Sequence, residues 1–255
     1  MGWAEEFENV AQDAAFWWLG VDDDTYPLEQ LGKLSLEVAY KLRTLGILGL
    51  LAEGSTLGFR HSCIRAARTR VRYLSRLAAA GVLDDHHKAS SRYEPFLDAV
   101  AGGDLDVARH IAALSPTQFM QGHEYEDDFC YAQLLHQLVQ NVVNESALAP
   151  LLARFDTYLA GEENPRWGVC KALCERDQGL FDEQFIAFLE LFESDALRQI
   201  EIGVLEDVHV LAQREVCVEG LALLGLAELR GLSTASEYAH CPSLARLPVP
   251  PCPVP

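Results

Sequence analysis

Between Leu28 and Leu45 the apolar residues Leu28, Leu31, Leu34, Leu36, Val38, Leu42 and Leu45 recur mostly at three- and four-residue intervals. That spacing gathers them on one side of a helix, whereas a half-buried strand needs strict alternation. The same helical period runs through Trp3–Leu19, Thr56–Ala80, Glu124–Asn144, Phe181–Phe192 and Leu205–Leu229, and no stretch alternates convincingly. The expected fold is all-α: a single-domain bundle of about ten helices built from helical hairpins, with a solenoid-like stack as one arrangement such hairpins allow.

Turn and cap residues punctuate these runs. Asp22-Asp23-Asp24 and Glu53-Gly54-Ser55 close the first two helices, and Gly81 closes the third. A polar loop, 84–91, follows. Gly102-Gly103-Asp104 makes a tight turn in which Asp104 is placed to cap a helix running to Leu114, and Ser115-Pro116 ends that helix. Asn164-Pro165 reads as a cap followed by proline at the first helical position, and Gly179 reads as a break. The stretches 95–111 and 169–189 share a helix–turn–helix pattern, but any two antiparallel helices can share it. Residues 1–246 are expected to form the domain, with N-terminal helices over 1–81. The proline-rich tail, 247–255, is expected to be extended and poorly ordered, because proline lacks the donor that helix and central strand require.

With 255 residues, 49% of them hydrophobic, the chain can bury a core of its own. A net charge of −18 argues against general nucleic-acid binding and against an anionic membrane surface, and it suits a basic protein partner. The most apolar run, Leu45–Ala52, is far short of the roughly 20 residues a membrane span needs. Seven scattered cysteines, an odd number, point to reduced thiols and a cytoplasmic protein. Glu5 and Glu6 stand where a secretory leader would be basic and then apolar. Arg60, Arg65, Arg68, Arg72 and Arg76 form a stripe along the third helix. It serves either as a solvated face pairing with acidic neighbours or as a contact for an acidic or phosphate group.

The densest chemistry lies in Gly122–Tyr131. Glu124, Glu126, Asp127 and Asp128 fall within five residues, flanked by Tyr125, Phe129 and Tyr131, and an apolar-periodic run follows. A helix N-terminus favours carboxylates, which explains one or two acids more easily than four. Phe129 is expected in the core, with Glu126 and Asp127 facing outward. If the helix begins at Glu124, then Glu124, Asp127 and Asp128 share a face and could hold a hard cation for a metal-dependent hydrolase. No Glu-x-x-His pair or second carboxylate helix completes such a site. Cys170 and Cys174 lack a second pair with zinc spacing. No nucleophile elbow, phosphate-binding loop or dinucleotide fingerprint is present. The remaining use of the segment is recognition, with carboxylates steering a basic partner and aromatics anchoring it. The expected partner-binding residues are Glu124, Tyr125, Glu126, Asp127, Asp128 and Tyr131; no catalytic residue, metal ligand or cofactor is expected.

The Gly102-Gly103-Asp104 turn, Ser115-Pro116 and Glu124-Tyr125-Glu126-Asp127-Asp128-Phe129 together resemble bacterial immunity proteins of polymorphic toxin systems, in particular the immunity protein 49 family. The turn through Arg176-Asp177, the run Phe181–Leu189 and the helix ending near Gly231 before Tyr238 are similar to that family's C-terminal half. The resemblance covers residues 93–238. It implies a cytoplasmic, non-catalytic α-helical protein, encoded beside a toxin, that binds and neutralises that toxin in interbacterial competition. The toxin would be basic, with nucleases among the candidates, and the protein would touch neither nucleic acid nor membrane directly. A helical-repeat scaffold for protein–protein interaction is the alternative, with the metal-dependent hydrolase behind it.

Overall fold

The computed structural model describes residues 3–201 and 207–253. Helices α1 (Trp3–Asp22), α2 (Leu28–Glu53) and α3 (Thr56–Ala79) pack in sequence, α1 on α2 and α2 on α3. A 3-10 turn at His86–Lys88 leads into α4 (Glu94–Gly102) and α5 (Leu105–Leu114), both against α3. Then come α6 (Glu126–Leu138), α7 (Glu145–Leu159), α8 (Pro165–Glu175) and α9 (Gln178–Glu201). The chain closes with α10 (Val208–Glu215), α11 (Val218–Leu229) and the single turn α12 (Ser243–Arg246). The described residues contain no strand, only two isolated bridges at Gln121–Glu124 and Tyr238–Cys241. The fold is all-α.

The layout differs from a solenoid. In a solenoid each unit touches only its neighbours. Here α11 returns to pack on α4 and α10 on α2, so the chain closes on itself. One core runs through both halves, with Phe59, Tyr73, Phe96, Phe129, Phe155, Phe181 and Phe185 fully buried in it. Burying each such ring contributes roughly 1.5–3 kcal/mol.

Two glycines set the close approach of helices. A Cβ on Gly46 would lie 3.0 Å from the Phe59 carbonyl oxygen, so Gly46 brings α2 and α3 together; α2 continues past it to Glu53. A Cβ on Gly102 would lie 2.8 Å from Ile64 Cγ1, which fixes the end of α4 against α3. Gly103 follows with φ 80°, a left-handed value that ends α4, and Asp104 accepts from the Val107 amide to start α5.

Three boundaries depart from the apolar periodicity. Helix α6 stops at Leu138, one and a half turns before Asn144, which instead stands at the N-cap of α7. Gly179 lies inside the first turn of α9. The break falls earlier, at Arg176 with φ 56°, and the Asp177 side chain accepts from the Leu180 amide. The final run is split at Val216–Cys217: the Cys217 amide donates to the His240 carbonyl, and its Sγ accepts from the Gly220 amide to begin α11. In the last two, a side-chain cap or a left-handed residue overrides a periodicity that continues through it.

The arginine stripe on α3 is spent inside the molecule. Arg72 pairs with Asp24 at 2.9 Å and Asp22 at 3.3 Å, and Arg76 donates to the carbonyls of Tyr26 and Asp23. Arg65 lies over the Trp18 ring, with its guanidinium carbon 5.9 Å from the ring centre. Arg60 and Arg68 reach the C-terminal tail, which is extended, as its prolines require, and is held by these hydrogen bonds along α3.

Candidate functional site

The acidic segment enters the fold through a tight loop. Gly122 takes φ 84°, and the following turn brings Glu124 back over the chain. The Glu124 carboxylate accepts from the Ser91 amide at 2.9 Å and the Met120 amide at 3.0 Å, joining the 84–91 loop to the 115–125 loop. Beneath it, Gln133 donates to Ser90 Oγ and to the Pro116 carbonyl. Glu124 is thus a structural clasp. It precedes α6, whose N-cap is Tyr125 in extended geometry, so Glu124 does not share a helical face with Asp127 and Asp128. That removes the three-carboxylate face which the metal-dependent hydrolase alternative would need, and no group of three potential ligands is found among the described residues.

The other acids are largely engaged as well. Glu126 pairs with Arg154 of α7 at 2.7 Å, and Arg154 also lies over the Phe119 and Phe129 rings. Asp127 is half-buried rather than facing outward, and its Oδ1 has no protein partner. Asp128 accepts from the Tyr93 hydroxyl at 3.4 Å. Burial and then the neighbouring Asp127 charge hold its carboxyl above the usual carboxylate range, against the opposing pull of Arg166.

Tyr131 corrects the expectation that it faces a partner, because it is only 1% exposed. One and a half turns into α6, it falls on the core side with Phe129. Its hydroxyl donates to Glu219 Oε1 at 2.8 Å, and the same carboxylate receives Arg166 through Nε at 2.7 Å and Nη2 at 2.8 Å. The Arg166 guanidinium stacks over the Tyr131 ring, and Tyr93 meets that ring edge-on. Asp128, Tyr93, Tyr131, Arg166 and Glu219 therefore form one network tying α4, α6, α8 and α11. Of the six residues, Tyr125 alone is fully exposed, at 72%.

Beside this patch lies a histidine relay that the sequence did not announce. Arg92 Nη2 sits 2.9 Å from His86 Nε2, His86 Nδ1 sits 3.3 Å from His123 Nδ1, and His123 Nε2 sits 3.1 Å from Asp84. Arginine only donates and the carboxylate only accepts, so the chain of contacts runs from Arg92 at one end to Asp84 at the other. Leu83 and Tyr125 flank the pair in sequence and are exposed.

A cleft of about 690 Å³ opens on the far side of the network, between α2, α9 and α10, and Arg166 and Glu219 line it. Phe188, Leu191 and Asp195 of α9 form one wall. The outer ridge of α9 carries Glu183, Ile186, Glu190, Glu193 and Leu197, all exposed, with Ile186 at 46% and Leu197 at 54%. No ion pair among the described residues uses these three glutamates. Sequence periodicity contained this ridge, but a helix expected to span only 181–192 hid its length.

No described helix is long and apolar enough to cross a membrane. A family model described as Immunity protein 49 matches residues 49–244, reaching upstream of the expected region to include α3. Neither the curated proteins nor the solved structures yield a match.

Proposed function

The chain belongs to the immunity protein 49 family, and from that premise we propose that it neutralises a cognate toxin by binding it, without catalysis and without a cofactor. The family match over most of the chain carries this reading. It acts in the cytoplasm of the cell that makes both proteins. The toxin is basic, because a partner with a net charge of −18 accelerates encounter with a positive surface and repels acidic competitors. A nuclease, whose cleft must be positive to hold phosphates, fits that requirement.

The contact surface has two parts in this reading. Tyr125 supplies an aromatic anchor at the start of α6, with Glu126, Asp127 and Asp128 adding negative field behind it. The α9 ridge supplies uncommitted carboxylates interleaved with Ile186 and Leu197, the mixture of charge and desolvated apolar area that makes specific interfaces. Glu124 and Tyr131 hold the shape of the first part rather than touch the partner.

The test is co-expression of the protein with the product of the adjacent gene in a sensitive host. Growth restored by this chain and not by an unrelated acidic helical protein supports the reading. A neighbouring product that is harmless, or toxic with no rescue, overturns it.

A further inference from the structure

We propose that the groove between α3 and α5 is a binding site for extended, proline-rich polypeptide, and that the chain's own C-terminal segment fills it in cis. A proline-rich segment offers a carbonyl at every residue but an amide donor only at its non-proline positions, so whatever binds its backbone must chiefly donate. The α3 face does this. Arg60 Nη1 donates to the Leu247 carbonyl at 2.8 Å, His61 Nε2 lies 3.0 Å from the Pro250 carbonyl, and Arg68 Nη1 donates to the Pro253 carbonyl at 2.6 Å. Arg68 Nη2 adds the Cys252 carbonyl at 3.3 Å. The contacts advance together along both chains, so the segment runs parallel to α3.

The segment also has the right twist. Leu247 takes φ −60° and ψ 141°, polyproline II values. With three residues per turn in that helix, every third side chain shares a face. Val249 and Cys252, three residues apart, are half-buried against the groove, while Leu247, Pro248, Pro250, Pro251 and Pro253 are exposed. A threefold burial pattern and a row of donors are what a receptor for this conformation shows.

The groove is wider than its occupant. About 520 Å³ remains between the segment and the wall formed by Ile64, Gly102, Leu105 and Arg109. The small side chains of Val249 and Cys252 leave that space empty, and a partner segment with bulkier residues at the same threefold positions would fill it. Because the tethered tail competes at an effective concentration on the millimolar scale, such a ligand must bind better than the tail does.

The probe is a labelled peptide carrying residues 247–255. The full-length chain is made with Pro248, Pro250, Pro251 and Pro253 changed to glycine, which weakens its own segment, and folding is checked by helical circular dichroism. Saturable peptide binding to this variant, roughly tenfold tighter than to the unaltered chain, is expected, as is loss of that binding when Arg68→Ala is added. Arg68→Ala leaves the Arg60 hydrogen bond to the Gly102 carbonyl in place, so the end of α4 stays held. No saturable binding to the folded variant overturns the proposal. So does equal binding with Arg68 removed, or equal binding to the unaltered chain.

Discussion

Tyr131 of α6 and Glu219 of α11 meet at 2.8 Å beneath the most acidic stretch of the chain, and Arg166 closes on the same carboxylate from α8. This contact divides the segment into residues that build the fold and residues available to a partner. Tyr131→Phe should cost about 1.5–3 kcal/mol, the usual net worth of a hydrogen bond to a charged group. Urea unfolding measures it, and the toxin affinity should not move. A large loss of affinity with intact folding would return Tyr131 to the interface.

Tyr125→Ala should behave in the opposite way. The side chain stands in solvent, so unfolding free energy should stay within about 0.5 kcal/mol. Toxin binding should weaken by about 2 kcal/mol if Tyr125 is an anchor. Urea unfolding reads the first outcome, and calorimetric titration of the two purified proteins reads the second. Charge reversal at Glu190→Lys with Glu193→Lys should slow association most strongly at low salt, since these carboxylates act through their field. An association rate unchanged at low ionic strength would remove α9 from the interface.

Asp98 of α4 receives Arg43 of α2 through Nε at 2.6 Å and Nη2 at 2.8 Å, with both side chains buried. Burial alone would lower the Arg43 pKa; the Asp98 charge, its hydrogen bond to Arg43 and the nearby Glu94 charge together more than reverse that. Asp98→Ala leaves a buried, unpaired guanidinium and should cost about 3–5 kcal/mol. Thermal unfolding should show a fall of order 10 °C. An apolar pair, Arg43→Met with Asp98→Leu, should recover most of it.

His136 gives the fold a pH dependence of known sign. Its ring is buried against Phe96 with both nitrogens unpartnered, and burial, followed by the nearby Arg70 charge, pushes its pKa down to about 3. The unfolded chain binds a proton near pH 6.5 and the folded chain does not. Stability from this group is whole above pH 6.5 and is lost as pH falls toward 3, at up to roughly 1.4 kcal/mol per unit. His136→Leu should flatten that part of the stability–pH curve, as read by denaturant melts between pH 7 and pH 4. An unchanged slope would show that the imidazole is protonated in the folded state.

The parts of the fold written in local chemistry were legible. Asp104 and Asn164 cap their helices and Pro165 takes the first helical position as the sequence implied, and apolar spacing located α1 to α3 closely. The parts decided by distant neighbours were not. Nothing near Glu126 names Arg154 as its partner, and nothing near Tyr131 names Glu219, so an acidic cluster read as surface when half of it was internal. The arginine stripe was visible, but its targets include backbone carbonyls 185 and 187 residues away, and those carry no sequence signature. Gly179 misled because a glycine in a first helical turn costs little when Arg176 and Asp177 have already made the break.

Neutralisation in this reading is stoichiometric binding. It is tested most directly by titrating the neighbouring toxin's activity with this protein. Residual activity should fall linearly and reach its floor at a fixed whole-number ratio of the two chains, with an intact complex recovered by size exclusion. Complete inactivation by a small substoichiometric amount, or full activity at a large molar excess, would contradict it.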